Sequence, residues 1–296
     1  MKYEIAKISL LGDRKNNQDR CLALEAPDAI LLALADGMGG HAGGEHAAQI
    51  LMDTCRKAFL TSRKPITNPR VFLSGLLDMA HHLILEFGQQ QNPPIEPRTT
   101  GILCLIQEQT AHWAHLGDSR LYLMRNGLIA FRTQDHSYVE HMRQQGLISP
   151  AQAHTHRLRN FVTRCLGGRN NYPVAELSKP YPLHMNDVIL LCSDGLWGAL
   201  PERRLVETLS NKVLPLAANL DFLANQAETS SKPESDNVTG LALRWLRRNP
   251  KLEPADSSMP LAHNAGSNEK EKTSEEHVQA AIDDLRKLLD EIDLEE

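Results

Sequence analysis

No run of about 18 consecutive apolar residues occurs in this chain, so the simplest signature of a membrane span is missing. The first residues, MKYEIAKISLLGDRKNNQD, scatter charge without an uninterrupted apolar stretch, and neither a signal peptide nor an anchor is expected there. There is no CxxC pair. The five cysteines, at 21, 55, 104, 165 and 192, are odd in number and widely spaced, which argues against a disulfide framework or a thiolate zinc site and leads us to expect a reduced, cytoplasmic setting. Net positive charge is also missing. At -5 the chain has no global basic field, so neither nucleic acid nor an anionic membrane is expected as a partner. The Gly-rich stretch GMGGHAGG is not followed by Gly-Lys-Ser/Thr, so it is no phosphate-binding loop of the nucleotide type.

What is present is a hydrophobic fraction of 41% over 296 residues, enough for one large domain with an appendage or for two small ones. The most informative feature is a set of aspartates placed where strand-like apolar runs break into Gly or Ser turns. They are Asp36 in LLALADGMGG, Asp118 in HWAHLGDSR, Asp194 in LLCSDGLWG and Asp236 in SDNVTG, with Asp19 near the start in RKNNQD. Rigid apolar segments that end in carboxylates can bring several of them to one point, and hard divalent cations such as Mg2+ or Mn2+ favour that oxygen-rich surrounding. A single Asp-Gly pair carries no such weight, because it marks ordinary turns.

Short β-like runs are expected at 21–24, 30–35, 101–107, 110–116, 121–125, 128–131, 187–192 and 238–245, and helices at 44–61 and 68–90. Arg125-Asn126-Gly127 reads as a hairpin turn, since Asn-Gly accepts positive φ. Hairpin-connected strand groups with helices between them favour an α+β architecture over alternating βαβ units. A more polar insert, about 137–164, carries a helix that ends at Gly146 and a second that starts with Ser149 as cap and Pro150 at its first position. Past the strands, 247–273 mixes Pro, Ser, Asn, Gly and charge as a flexible linker. Residues 274–296 follow as an acidic amphipathic helix, opened by a capping-box pattern from Thr273 to Glu276 and striped by Val278, Ile282, Leu285, Leu289 and Ile292. A helix of two or three heptads is marginal alone, so the tail is expected to dock on its own chain, pair with another protein or a second copy, or else stay largely disordered.

The ordered series RKNNQD, ADGMGGHAGGE, GDSR, SDGLW and SDNVT resembles the metal-dependent Ser/Thr protein phosphatases of the protein phosphatase 2C type, in particular the compact bacterial members. The likeness covers roughly residues 1–246. It implies a two-layer antiparallel β-sandwich flanked by helices (α-β-β-α), with a flap insert and with two Mn2+ or Mg2+ ions at one end. Carried over residue by residue, it implies that Asp36 bridges the two ions, that Gly37 offers its carbonyl to one, and that Asp194 and Asp236 complete the other. Asp19 would act through water, and Asp118 with Asp194 would support a third, weaker position. Arg14, five residues before Asp19, would hold the substrate phosphate with its planar fork. Arg120 is expected to brace the Asp118 loop instead.

The physical need for such a centre is independent of the family. A phosphate monoester is a dianion that repels hydroxide, and two cations neutralise it while acidifying water, so no covalent phospho-enzyme is required. None of the five cysteines has the Gly- and Arg-rich loop that a thiol nucleophile would need. One departure stands out: animal-type members carry DGHGG, with a histidine as proton donor, whereas Met38 fills that slot here. His41 is the substitute candidate for general acid, and a water on the cations is the other. Other histidines, including His81, His82, His154 and His156, read as surface or packing residues. Asn160, Thr163 and Arg164 match the stretch that closes the flap in bacterial relatives, so the flap is expected to set substrate choice.

The resemblance implies phosphorylated proteins as substrates and a Ser/Thr kinase as the opposing activity. Two other readings remain at this point: a phosphatase-like scaffold acting through flap and tail, and a phosphatase of a small phosphorylated metabolite.

Overall fold

The computed structural model describes residues 1–38, 43–168 and 173–247. The expected linker and acidic helix therefore lie outside the described residues, except that Arg247, expected to open the linker, still belongs to the last strand.

The chain opens with β1 (Lys2–Leu10), β2 (Asp19–Ala26) and β3 (Ala29–Asp36), followed by helices α1 (Gly44–Thr61) and α2 (Pro69–Gln90). A short β4 (Arg98–Thr99) leads into β5 (Gly101–Gln107), β6 (Thr110–Leu116), β7 (Arg120–Arg125) and β8 (Leu128–Arg132). The insert holds α3 (Tyr138–Gln144) and α4 (Pro150–Thr155), after which come β9 (Leu166–Gly167), β10 (Glu176–Leu177), β11 (Tyr181–Pro182) and β12 (Val188–Cys192). Helices α5 (Asp194–Trp197), α6 (Glu202–Leu209) and α7 (Leu216–Ser231) precede β13 (Val238–Arg247).

One sheet runs β1-β13-β12-β7-β8 and the other β10-β6-β5-β3-β2, with β11 also on β6. The pairings within both are antiparallel. Three apolar clusters show how the layers stack. Ile30, Leu32 and Leu34 of β3 meet Ile189, Leu191, Leu241 and Leu243 of the other sheet. Leu31, Ala33 and Ala35 face α1 and α2 on the outer side. Val188, Leu190 and Cys192 do the same for α5, α6 and α7. Strands covered on both faces carry apolar residues at every position, which is why β3, β5 and β12 appear in the sequence as continuous runs without alternation. This is the α-β-β-α sandwich that the resemblance implied.

Local signals act where they were read. Asn126 and Gly127 take φ of 53° and 74° in the β7-β8 turn. Asn68, expected as the first residue of α2, is instead its cap, accepting from the Val71 N–H with Pro69 in the first turn. By length and apolarity α2 resembles a membrane span, but 67% of its apolar window is buried within the protein. Ser149 and Gln152 form a reciprocal capping box on α4. Eight elements escaped the sequence reading: β1, the two-residue strands β4, β9, β10 and β11, and the helices α5, α6 and α7. In β1 the charges of Lys2, Glu4 and Lys7 break the apolar pattern, and the strand is secured by pairing along its whole length with β13.

Candidate metal centre

Antiparallel register places the aspartates at one end of the sandwich. Asp19 opens β2 and lies opposite Asp36, the last residue of β3. Cys192 at the end of β12 pairs with Arg120 at the start of β7 and with Gly240 near the start of β13. Asp194 and Asp118 therefore leave neighbouring strands beside Asp236, which lies two residues before β13. Side chains stitch the two sheets together there: the Ser193 hydroxyl donates to Asp19 Oδ2 at 2.7 Å, and the Gln18 N–H donates to Asn237 Oδ1 at 2.9 Å.

Backbone space is tight around Asp36. A Cβ on Gly37 would stand 2.4 Å from the Gly44 carbonyl oxygen, so only glycine lets α1 start this close to the end of β3. The Asp36 carbonyl accepts from the Thr99 hydroxyl and from the Thr100 N–H, each at 2.9 Å. That fixes the turn on which Asp36 and Gly37 sit.

Asp36, Gly37, Asp118, Asp194 and Asp236 line one cavity of about 360 Å3, with Arg14 at its edge. A wider cleft of about 1160 Å3 continues from Asp118, Asp194 and Asp236 along Trp197 to the insert helix α3. Asp19 is buried behind the cavity wall, held by Ser193 and by its own N–H donating to Asn17 Oδ1. His41 lies outside the described residues. Arg14 donates from Nη2 to Asp236 Oδ2 at 2.7 Å while its side chain stays 54% exposed.

The electrostatics are those of a site short of positive charge. Removal from water, then repulsion from Asp19 and Asp194, lifts the Asp36 carboxyl well above the ordinary carboxylate range. Burial raises Asp19 to about 7, against the opposing hydrogen bond from Ser193. Burial and the charge of Asp194 raise Asp118 to about 8, and burial with Asp236 raises Asp194 to about 6. Carboxylates crowded in this way are relieved by a cation. The carboxylates of Asp36, Asp118, Asp194 and Asp236 and the Gly37 carbonyl are oxygen donors of the kind that suits Mn2+ or Mg2+, so these residues fit the ions that the resemblance implied.

Arg120 braces the site as expected. Its guanidinium makes a two-pronged bond to Asp135 at 2.8 and 2.7 Å and lies 3.5 Å over the Trp197 ring centre. Trp197 in turn donates from Nε1 to the Asp118 carbonyl at 3.0 Å. Asp135, Trp197 and Ser193 were missed in the sequence. Asp135 follows a strand as Asp118 and Asp194 do, but no glycine turn marks it.

The family model described as Protein phosphatase 2C matches residues 9–247. The Serine/threonine protein phosphatase PstP of Mycobacterium tuberculosis is 32% identical over 227 residues, 76% of this chain and 41% of that protein, so the match spans less than half of that relative. The Serine/threonine phosphatase stp of Listeria monocytogenes is 28% identical over 231 residues, 77% of this chain and 90% of the relative. Among solved structures, a bacterial serine phosphatase superposes with a TM-score of 0.77 at 26% identity, covering 84% of this chain and all of the other. The catalytic domain of PstP in complex with two manganese ions superposes at 0.69 with 29% identity, over 83% of this chain and 99% of that one.

Proposed function

The chain belongs to the protein phosphatase 2C family, and from that premise we propose that it is a metal-dependent phosphatase of phosphoserine and phosphothreonine in proteins, reversing a Ser/Thr kinase. The observation that carries this reading is the convergence of Asp36, Asp118, Asp194 and Asp236 on one cavity, beside the guanidinium of Arg14. In this reading Asp36, Gly37, Asp194 and Asp236 would hold two Mn2+ or Mg2+ ions, Asp118 would contribute with Asp194 to a third, and Asp19 would order water from behind. Bound there, the cations supply charge neutralisation for a phosphate dianion and acidification of water.

The chain's own groups do the rest. Arg14, now on Asp236, would orient the phosphate through its planar fork. The buried turn at Asp36 and Gly37 holds the carboxylate geometry in advance, so little reorganisation accompanies the reaction. The long cleft from the cavity to α3 leaves room for an extended peptide, which supports protein substrates over a small enclosed metabolite. Its flap wall, from Ser137 through Arg143 to Asn160, is where we place substrate choice. His41 remains our candidate for protonating the leaving oxygen. The five free cysteines support a reducing, cytoplasmic location.

The test is hydrolysis of a phosphothreonine peptide by metal-stripped protein, supplied with Mn2+, with Mg2+ or with neither, beside Asp36→Asn. Turnover that needs the cation and disappears in Asp36→Asn is expected. Equal turnover in the stripped protein, or none from any folded and loaded form, would overturn the reading.

A further inference from the structure

Asp118 sits on a turn between β6 and β7, and its carboxyl is placed only as well as residues 117–119 are held. Gly117 has φ of 99°, and a Cβ there would stand 2.7 Å from the Thr100 Cβ, so the turn is pressed onto the start of β5. The Ser119 and Thr100 hydroxyls share a hydrogen bond of 2.7 Å on one side. On the other side a single residue engages both backbone groups of Gly117. The Gly117 N–H donates to His136 Nδ1 at 3.2 Å, and the His136 N–H donates to the Gly117 carbonyl at 2.9 Å.

His136 also borders the flap at both of its ends. Its carbonyl accepts from the Thr163 N–H at 2.8 Å, where the flap closes. The next residue, Ser137, caps α3 and pairs with Val162 in an isolated bridge. One residue thus joins the Asp118 turn to both ends of the insert.

The ring is fixed in turn. It stacks on His115 with centres 4.6 Å apart and planes 6° from parallel. The Gly117 N–H makes Nδ1 the acceptor, so Nε2 carries the proton and faces Glu176 Oε2 at 3.5 Å. His115 donates from Nε2 to the Gln134 carbonyl at 2.9 Å, which leaves its Nδ1 bare. His115, His136 and Glu176 bring their ligand atoms within 4.8 Å of one another. Imidazole lone pairs lie in the ring plane, however, and no single ion can lie in two stacked parallel planes; the protonated Nε2 opposes it further. The trio is a clasp and not a second metal site. Burial, with His115 and Arg164 nearby, depresses His136 to about 3 and keeps it neutral.

We propose that His136 is a positioning residue for Asp118, fixing the turn through Gly117 and coupling it to the flap. The proposal rests on Asp118 being a cation ligand.

The test compares full-length wild type, His136→Leu, His136→Asn, Asp118→Asn and the double variant His136→Leu/Asp118→Asn. Mn2+ binding to stripped protein is measured by calorimetry, turnover of a phosphothreonine peptide is followed against Mn2+ concentration, and thermal melts serve as the folding control. His136→Leu removes the acceptor and is expected to weaken the Asp118-dependent Mn2+ binding about tenfold, as loss of a group supporting a ligand does. His136→Asn keeps an oxygen near the place of Nδ1 and is expected to recover most of it. In the Asp118→Asn background, His136→Leu is expected to add little. Wild-type binding in His136→Leu, equal losses in Leu and Asn that follow their melting points, or a loss carried in full into the double variant would each overturn the proposal. If Asp118→Asn alone binds Mn2+ and turns over as wild type does, the premise about Asp118 has failed and the proposal goes with it.

Discussion

Arg14 and Asp236 are joined by a 2.7 Å hydrogen bond between Nη2 and Oδ2, across 222 positions of sequence. The guanidinium assigned to the phosphate is thus parked on a carboxylate assigned to a cation. Exposed pairs of this kind contribute about 0–1 kcal/mol, so the pairing costs little to break.

Arg14→Ala is therefore expected to leave the melting point nearly unchanged and to raise KM for a phosphopeptide about tenfold or more, since a charge-assisted contact to phosphate is lost. Arg14→Lys should recover only part, because an ammonium cannot grip two oxygens in one plane. Steady-state kinetics with melts on the same samples check this. A wild-type KM in Arg14→Ala would remove Arg14 from phosphate binding.

The metal-free protein should lose stability as pH rises. Asp194, Asp19 and Asp118 titrate near 6, 7 and 8 in the fold, above the ordinary carboxylate value of 3.8. Between that value and the raised ones the native state holds protons that the unfolded chain has released. Their stabilising effect is complete below the unfolded pKa and is lost as pH climbs through the folded values. Melts in chelator at pH 5 and pH 8 are expected to show the lower midpoint at pH 8. Mn2+ at about a hundred times its Kd should raise the pH 8 midpoint by roughly 5–10 °C.

Arg120 and Asp135 form a pair with side chains only 11% and 7% exposed. Removing Asp135 leaves the buried Arg120 guanidinium with the half-exposed Glu202 at 3.7 Å and the Tyr122 hydroxyl, at a cost toward the lower end of the about 3–5 kcal/mol of a broken buried pair. Asp135→Ala is expected to lower stability by that amount in denaturant unfolding, with turnover falling as Trp197 and the Asp118 loop lose their brace.

Ser193→Ala deletes the hydroxyl that donates to Asp19 and accepts from the Thr239 N–H at 3.1 Å. An expected loss of about 1–3 kcal/mol follows from leaving buried polar groups without partners. Weaker Mn2+ binding should accompany it, because the Asp19 carboxylate then keeps the Thr239 hydroxyl but loses that of Ser193. Calorimetry against unfolding curves separates the two effects.

Much of this protein is determined by residues acting on their near neighbours. Apolar runs ending in Asp-Gly or Asp-Ser specify where strands stop and carboxylates begin, since a strand buried on both faces tolerates no polar residue until it reaches the rim. Asn126-Gly127 specifies its turn through backbone conformation, and Asn68-Pro69 and Ser149-Pro150 specify their caps through a side-chain oxygen on the first turn and the fixed φ of proline. The tertiary structure decided what depends on distant pairs. β1 becomes a strand only beside β13, and Glu4, a break in its apolar pattern, is used to hold Arg244 at 2.9 Å. Whether Arg14 meets Asp236, Ser193 meets Asp19 or His136 meets Gly117 depends on sheet register and on the stacking of two sheets. No local pattern encodes such meetings, because the contacts form only after segments far apart in sequence have been packed together.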